Sequence, residues 1–383
     1  MSKLRDFGSR CAWRIAKLRK IRPNRVVFCS YYGRGYSDSP KAICEVLRKS
    51  GEELELVWLC KDDAAVRSLP DGVRPVPYKG MKRLKALASA KVWVDNCRKY
   101  ENVKRKGQFY LQTWHGFALK KIEKDAEATL TPDYLAACRT DSAQCDVIVS
   151  GSAFMSKLYR SSFWYDGAVL ETGTPRNDVF YSEQPALHVK VCQQFGLDPA
   201  RKLLLFAPTF RGDRSTDAYR IDAEAVRQAA AENLGGDWTV LIRLHPNVAD
   251  QSAALYAYNG ATLLDATAYP DMQELLCAAD LLITDYSSSM FDYALTGKPI
   301  VQYAPDIEKY AGDRDFYFPI DQLPFPLARD GESLVKAVRE VLPVWANNGW
   351  ADFARENKFC EDGDASVKCA AIILQQIKKE KTK

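Results

Sequence analysis

Histidine is scarce in this chain: His115, His188 and His245 are the only three in 383 residues. No run of about 18 apolar residues occurs, so no transmembrane helix is expected. The positive charges at the N-terminus have no apolar signal-peptide core behind them, and a body folded in the cytoplasm is the expectation. Eleven cysteines are present, but none forms a C-x-x-C pair, and Cys29 and Cys60 sit inside strand-like apolar runs. Reduced, buried thiols are expected, rather than a disulfide framework or a zinc site. The G-x-G-x-x-G and G-x-x-x-x-G-K-S/T fingerprints are missing, which removes the usual dinucleotide and P-loop readings. No D-x-D follows a strand in the first half, so neither a metal nor another cofactor is expected.

What is present fits an ordinary globular protein, 47% hydrophobic and 27% charged, with a length that favours two domains. The net charge of +5 is unevenly spread, since residues 1–22 hold eight Lys/Arg against one Asp. Leu4, Phe7, Cys11, Ile15, Leu18 and Ile21 recur there at three- and four-residue steps. A basic amphipathic helix over 1–24 is the reading, lying on an anionic membrane surface or docking on its own core. The runs RVVFCSYY, LELVWLC, AKVWVDN and GQFYLQTW then read as strands alternating with helical segments, and CDVIVSGS and GAVLETGTPRND extend this lobe over 25–182. Residues 183–200 read as a connecting helix and linker. KLLLFAPTFRG, WTVLIRLHPN, ATLLDAT, DLLITDYSSS and KPIVQYAP repeat the alternation over 201–383. Two Rossmann-like α/β lobes are expected.

Ligands in open α/β sheets bind beyond the carboxyl ends of the strands. That singles out Gly33–Pro40, His115-Gly116, Ser150–Ser152, Pro175–Asp178, Pro208–Arg211, His245-Pro246-Asn247 and Asp285–Ser289. In ITDYSSSMFDYALTGKP the serines stand at a helix start, where free N–H groups and the helix dipole suit a phosphate, and Ser289 with Asp292 resembles a capping box. Arg211 is placed to clamp phosphate, or to lie on the surface. His245 can donate to a phosphate oxygen or satisfy a turn. His115 can take a proton from an alcohol near neutral pH, and Gly116 leaves room for a substrate. Ser37-Asp38-Ser39-Pro40 reads as a helix cap, and His188 as a solvated helix residue.

LQTWHGFALKKI, GTPRNDVF, LLFAPTFRG, IRLHPN and ITDYSSSMFDYALTGKPIVQY occur in that order. Together they closely resemble the CDP-glycerol glycerophosphotransferase family of teichoic acid primases and polymerases. YGRGYSDSPKAICEVL, DIEKYAGDRDFYF and CEDGDASVK look like further family blocks. The resemblance implies a GT-B-like fold with the active site in the cleft between the lobes. It implies transfer of an alditol phosphate from CDP-glycerol or CDP-ribitol to a lipid-linked saccharide or polyol-phosphate acceptor, with release of CMP. The resemblance implies His115 and His245 as catalytic, His115 as the general base, with Trp114, Gly116 and Asp38 on the acceptor side. His245, Pro246, Asn247, Arg211, Thr284, Asp285, Ser287 and Ser288 match donor-phosphate contacts. Peripheral attachment at the cytoplasmic face of the membrane is implied as well, and no nucleic-acid partner. One departure stands out: the family block usually continues Trp-His-Gly-Thr-Pro, and this chain has Phe117-Ala118.

Overall fold

The computed structural model describes residues 12–100, 103–182, 184–245, 248, 255, 259, 262–313, 315–346 and 349–381. Contacts divide the chain into two compact units. Met1–His115, Glu123–Asp178 and Lys358–Lys383 form the first, and Gly116–Ile122 with Val179–Asn357 the second.

The first unit is built on seven parallel strands: β1 (Arg22–Cys29), β2 (Glu55–Cys60), β3 (Val73–Pro77), β4 (Ala90–Asp95), β5 (Phe109–Gln112), β6 (Val147–Ser150) and β7 (Ala168–Glu171). Their order is β3-β2-β1-β4-β5-β6-β7. Central strands of a parallel sheet are covered on both faces, so they read as near-continuous apolar runs, as VVFC and LVWLC do. The helix Asp38–Arg48 covers part of one face with Ile43, Cys44 and Leu47. Gly33, in the loop after β1, takes φ +84° where a Cβ would stand 3.0 Å from the Leu59 carbonyl oxygen, so only glycine lets this loop lie against the end of β2.

The second unit repeats the plan with β8 (Lys202–Ala207), β9 (Trp238–Ile242), β10 (Leu263–Asp265), β11 (Leu281–Thr284), β12 (Ile300–Tyr303) and β13 (Leu327–Ala328), again parallel, in the order β10-β9-β8-β11-β12-β13. In each sheet the first strand is internal and the order reverses beside it, which is the Rossmann pattern. Of the ten described cysteines all are free and nine are buried, as expected of reduced thiols.

Three features differ from the sequence reading. The strand β3, VRPVP, was not among the expected strands, because its prolines argue against pairing; it is an edge strand, where a missing N–H is tolerated. Residues 184–194 form a helix, as expected of 183–200, but the helix Gln184–Gln194 is no separate connector: it belongs to the second unit and buries Leu187, Val191 and Cys192. The C-terminal helix Ala365–Lys381 belongs to the first unit, so the second does not run to residue 383. Cys369, Ala370, Ile373 and Ile377 join the same core as Val26, Phe28 and Val92. Asp178 fixes the start of this helix, accepting from the backbone N–H groups of Ala365 (3.1 Å) and Ser366 (2.7 Å). Glu361 accepts from the Thr174 N–H at 2.8 Å. The CEDGDASVK block is thereby tied to GTPRND.

No helix among the described residues is long and apolar enough to cross a membrane. Residues 12–17 are helical; Ala16 is buried, while Ile15 and Leu18 are 54% and 84% exposed beside exposed Arg14, Lys17, Arg19 and Lys20. The rest of the basic stripe, residues 1–11, lies outside the described residues.

Because Ile373 is fully buried against the first sheet, Ile373→Ala should cost about 2–5 kcal/mol. Chemical denaturation should show the midpoint lowered with little change in slope.

Candidate active site

In the first unit, Asp95 of β4 pairs in register with Gln112 of β5, so Asn96 and Thr113-Trp114-His115 leave adjacent strands together. The Thr113 N–H donates to the Asp95 carbonyl at 2.9 Å, carrying the ladder one step past the strands. His115 Nδ1 lies 2.7 Å from the Asn96 carbonyl oxygen. A carbonyl only accepts, so Nδ1 carries the proton and Nε2 of the neutral ring keeps its lone pair. Enclosure of the ring holds the His115 pKa below the ordinary 6.5, against the opposing pull of the Asn96 bond and of Asp38. At neutral pH the imidazole is therefore an uncharged base.

Asp38 is buried, and its carboxylate is already occupied. Oδ2 accepts from the Tyr31 hydroxyl (2.6 Å) and Arg176 Nη1 (2.8 Å), and Oδ1 from the Ser39 N–H (2.7 Å). Arg176 Nη1 also donates to the His115 carbonyl at 2.8 Å. Burial raises the Asp38 pKa, but Arg176 and the hydrogen bonds outweigh it and hold the carboxyl below its usual range. Asp38 thus acts as a tie between Tyr31, Ser39 and Arg176. Tyr31, Asn96 and Arg176 complete the arrangement. Arg176 was in a suspected loop, whereas Tyr31 and Asn96 carried no signal beyond standing at a strand end. Tyr31, Tyr32, Asp38 and Trp114 all take positive φ (43°, 60°, 63° and 52°), a cluster of costly backbone conformations around one histidine. Such strain concentrates at functional sites.

In the second unit the suspected residues follow β9, β8 and β11, three neighbouring strands. The His245 ring stands 5.3 Å from that of Phe210. Pro246 and Asn247 lie outside the described residues. Arg211 is buried and committed: Nε and Nη2 bind Asp306 at 2.7 and 2.9 Å, and Nη1 binds Asp285 at 2.8 Å. Its guanidinium lies over the Tyr286 and Tyr310 rings at 4.9 and 5.0 Å. Asp285 also accepts from the N–H groups of Thr209 (2.8 Å) and Tyr286 (2.6 Å), and Thr284 Oγ1 donates to the Ala207 carbonyl. Thr284, Asp285 and Arg211 therefore shape the loop from inside.

Ser287 and Ser288 are the partly exposed members. The expected Ser289–Asp292 capping box is not formed: Ser288 is the N-cap of helix Ser289–Ala294 and makes no side-chain cap bond, while Ser287 Oγ accepts from the Ser289 hydroxyl at 2.8 Å. A cavity of about 330 Å³ lies nearby, lined by Arg211, Asp213, Asp217, Asp306 and Lys309 among others. Two of its aspartates are paired within the lining, Asp306 with Arg211 and Asp213 with Lys309. His188 is not solvated; its Nδ1 lies 2.8 Å from the Ala278 carbonyl and its Nε2 3.0 Å from that of Arg201.

Two Rossmann-like units, each with polar side chains gathered past the carboxyl ends of parallel strands, define a GT-B-like α/β protein. The chain belongs to the CDP-glycerol:poly(glycerophosphate) glycerophosphotransferase family, whose pattern matches residues 11–375. It is 32% identical over 378 residues to a teichoic acid poly(glycerol phosphate) polymerase of Staphylococcus epidermidis, covering 94% of this chain and 52% of that one. The chain thus spans about half the length of that polymerase. A teichoic acid glycerol-phosphate transferase of Staphylococcus aureus is 31% identical over 92% of this chain and 93% of its own. The solved wall teichoic acid polymerase TagF, in a variant soaked with CDPG, superposes with TM-score 0.84 at 28% identity, covering 96% of this chain and 94% of that one.

Removing Arg211 would leave Asp285 and Asp306 as uncompensated carboxylates. Arg211→Met should therefore cost about 3–5 kcal/mol of stability. Thermal unfolding of the variant beside the wild type checks this, and an unchanged midpoint would contradict the internal role.

Proposed function

We propose that this chain transfers glycerol phosphate, or a related alditol phosphate, from a CDP-activated donor to a hydroxyl of a lipid-linked or polymeric acceptor. The observation that carries the reading is the His115 ring, with Nδ1 bound to the Asn96 carbonyl and Nε2 left as a base, in a chain of the glycerophosphotransferase family. His115 Nε2 takes the proton as the acceptor oxygen attacks the phosphorus that bears the alditol. The bond from that phosphorus to the CMP oxygen breaks, and CMP leaves. His245 with the Ser287 and Ser288 hydroxyls holds the donor phosphates, and Arg211 acts by fixing the serine loop. Phosphoryl transfer is chiefly a matter of positioning and charge stabilisation, which hydrogen-bond donors and one base can supply. Exposed Ile15 and Leu18 among basic residues support attachment to an anionic membrane surface.

CMP release from CDP-glycerol and from CDP-ribitol, with lipid-linked disaccharide and with glycerol-phosphate oligomers as acceptors, tests the proposal. His115→Ala should lower turnover about 10²–10⁴-fold with the fold intact, and wild-type rates would remove the base assignment. The sign of the pH dependence follows from the neutral ring being active. Activity should rise with pH through a value below 6.5 and stay level through neutrality. A limb centred above 6.5 would contradict it.

A further inference from the structure

Five successive residues at the end of β4 and just beyond it, Asp95-Asn96-Cys97-Arg98-Lys99, are at most 4% exposed although three are charged. None of them is a base or a phosphate ligand in the proposed reaction. Arg98 Nη1 donates to Asp141 (3.2 Å) and Ser142 (3.0 Å), while Nε and Nη2 grip Glu123 at 3.3 and 3.2 Å. Its guanidinium lies 4.5 Å from the Phe163 ring centre and 5.7 Å from that of Trp114. Trp114 is itself wedged edge-on against Phe163 at 4.7 Å, and its ring stands 4.2 Å from the His115 ring. The same loop is tied to the histidine strand by a second route. Asp141 Oδ1 accepts from the Lys99 N–H and the Tyr110 hydroxyl, each at 3.1 Å. Gln112 Nε2 reaches the Tyr110 hydroxyl (2.8 Å) and the Cys97 carbonyl (3.0 Å), and Gln112 Oε1 accepts from the Trp114 N–H at 2.9 Å.

We propose that Arg98 is a positioning residue for His115. It clamps the Trp114 ring from behind, and it anchors the loop whose Asn96 carbonyl fixes the Nδ1–H tautomer. Trp114 has φ 52°, a conformation disfavoured for a bulky side chain, so it needs external support to persist. A planar guanidinium suits that task, since it holds two carboxylates by its edge and presents its face to the aromatic rings. Lysine keeps the charge but has neither the fork nor the flat face.

The inference rests on His115 being the base, and the experiment separates the two ideas. Arg98→Lys and Glu123→Gln are compared with His115→Ala for kcat, for KM toward CDP-glycerol, and by nitrogen-15 NMR of the imidazoles, which three histidines keep tractable. Both positioning variants should lose kcat by roughly tenfold to a hundredfold with KM little changed, as expected for a displaced reacting group. The single Nδ1–H tautomer of His115 should give way to a mixture. If Arg98→Lys does not fold, Glu123→Gln decides, because it loosens the grip and leaves the cation in place. A purely structural role would lower thermal stability but leave kcat per folded molecule and the tautomer as in the wild type, and that result would overturn the inference. Full activity in His115→Ala would remove the base assignment instead, with the tautomer measurement still deciding whether Arg98 positions the ring.

Discussion

One hydrogen bond organises the strand ends of the first unit: the 2.7 Å contact from His115 Nδ1 to the Asn96 carbonyl. A neutral imidazole has one donor and one acceptor nitrogen, and this bond decides which is which. It requires two strand ends in register, and β4 and β5 provide them. It also requires Trp114, just after β5, to keep an unusual backbone shape, and the segment after β1 carries others. The strained φ values of Tyr31, Asp38 and Trp114 are held by Asn96, Arg176 and Gln112 respectively, each through a hydrogen bond to that residue's backbone or side chain.

Buried charge does comparable work in both units. Arg98 faces Glu123 and Asp141, and Arg211 faces Asp285 and Asp306. Such groups add little net stability, because desolvating the ions offsets their attraction, yet breaking one leaves a costly bare charge. Each loop is thereby confined to one arrangement. Each guanidinium is also backed by aromatic faces, Phe163 and Trp114 in one case, Tyr286 and Tyr310 in the other. Arg211 is consequently an internal brace between Asp285 and Asp306.

Most of the fold was legible because parallel strands buried on both faces announce themselves as apolar runs, and the rule of strand carboxyl ends then located His115, His245 and the serine loop. What failed did so for physical reasons. The β3 prolines hide an edge strand, since local propensity says nothing of edges. The C-terminal helix was assigned to the wrong unit because sequence order does not reveal that Ile373 and Ile377 pack with Val26 and Phe28. Arg211, Asp38 and His188 were placed at the right points of the chain, but their partners are 95, 138 and 90 residues away. Spacing shows where a side chain starts, not what it meets.

The Phe117-Ala118 departure from the usual Thr-Pro can be settled on packing. Gly116–Ile122 belongs to the second unit, and there Phe117 is 7% exposed. Its ring lies 4.5 Å from Phe291, 5.8 Å from Phe318 and 6.1 Å from Phe353. Phe291 sits on the helix that the serine loop opens, and it stacks on Phe353 at 5.6 Å. A threonine at 117 would leave this cluster short of a ring and bring a hydroxyl into apolar surroundings, where an unpaired polar group is costly. The residue is therefore matched to its neighbours within the second unit. Its change from the family pattern follows how that core is filled.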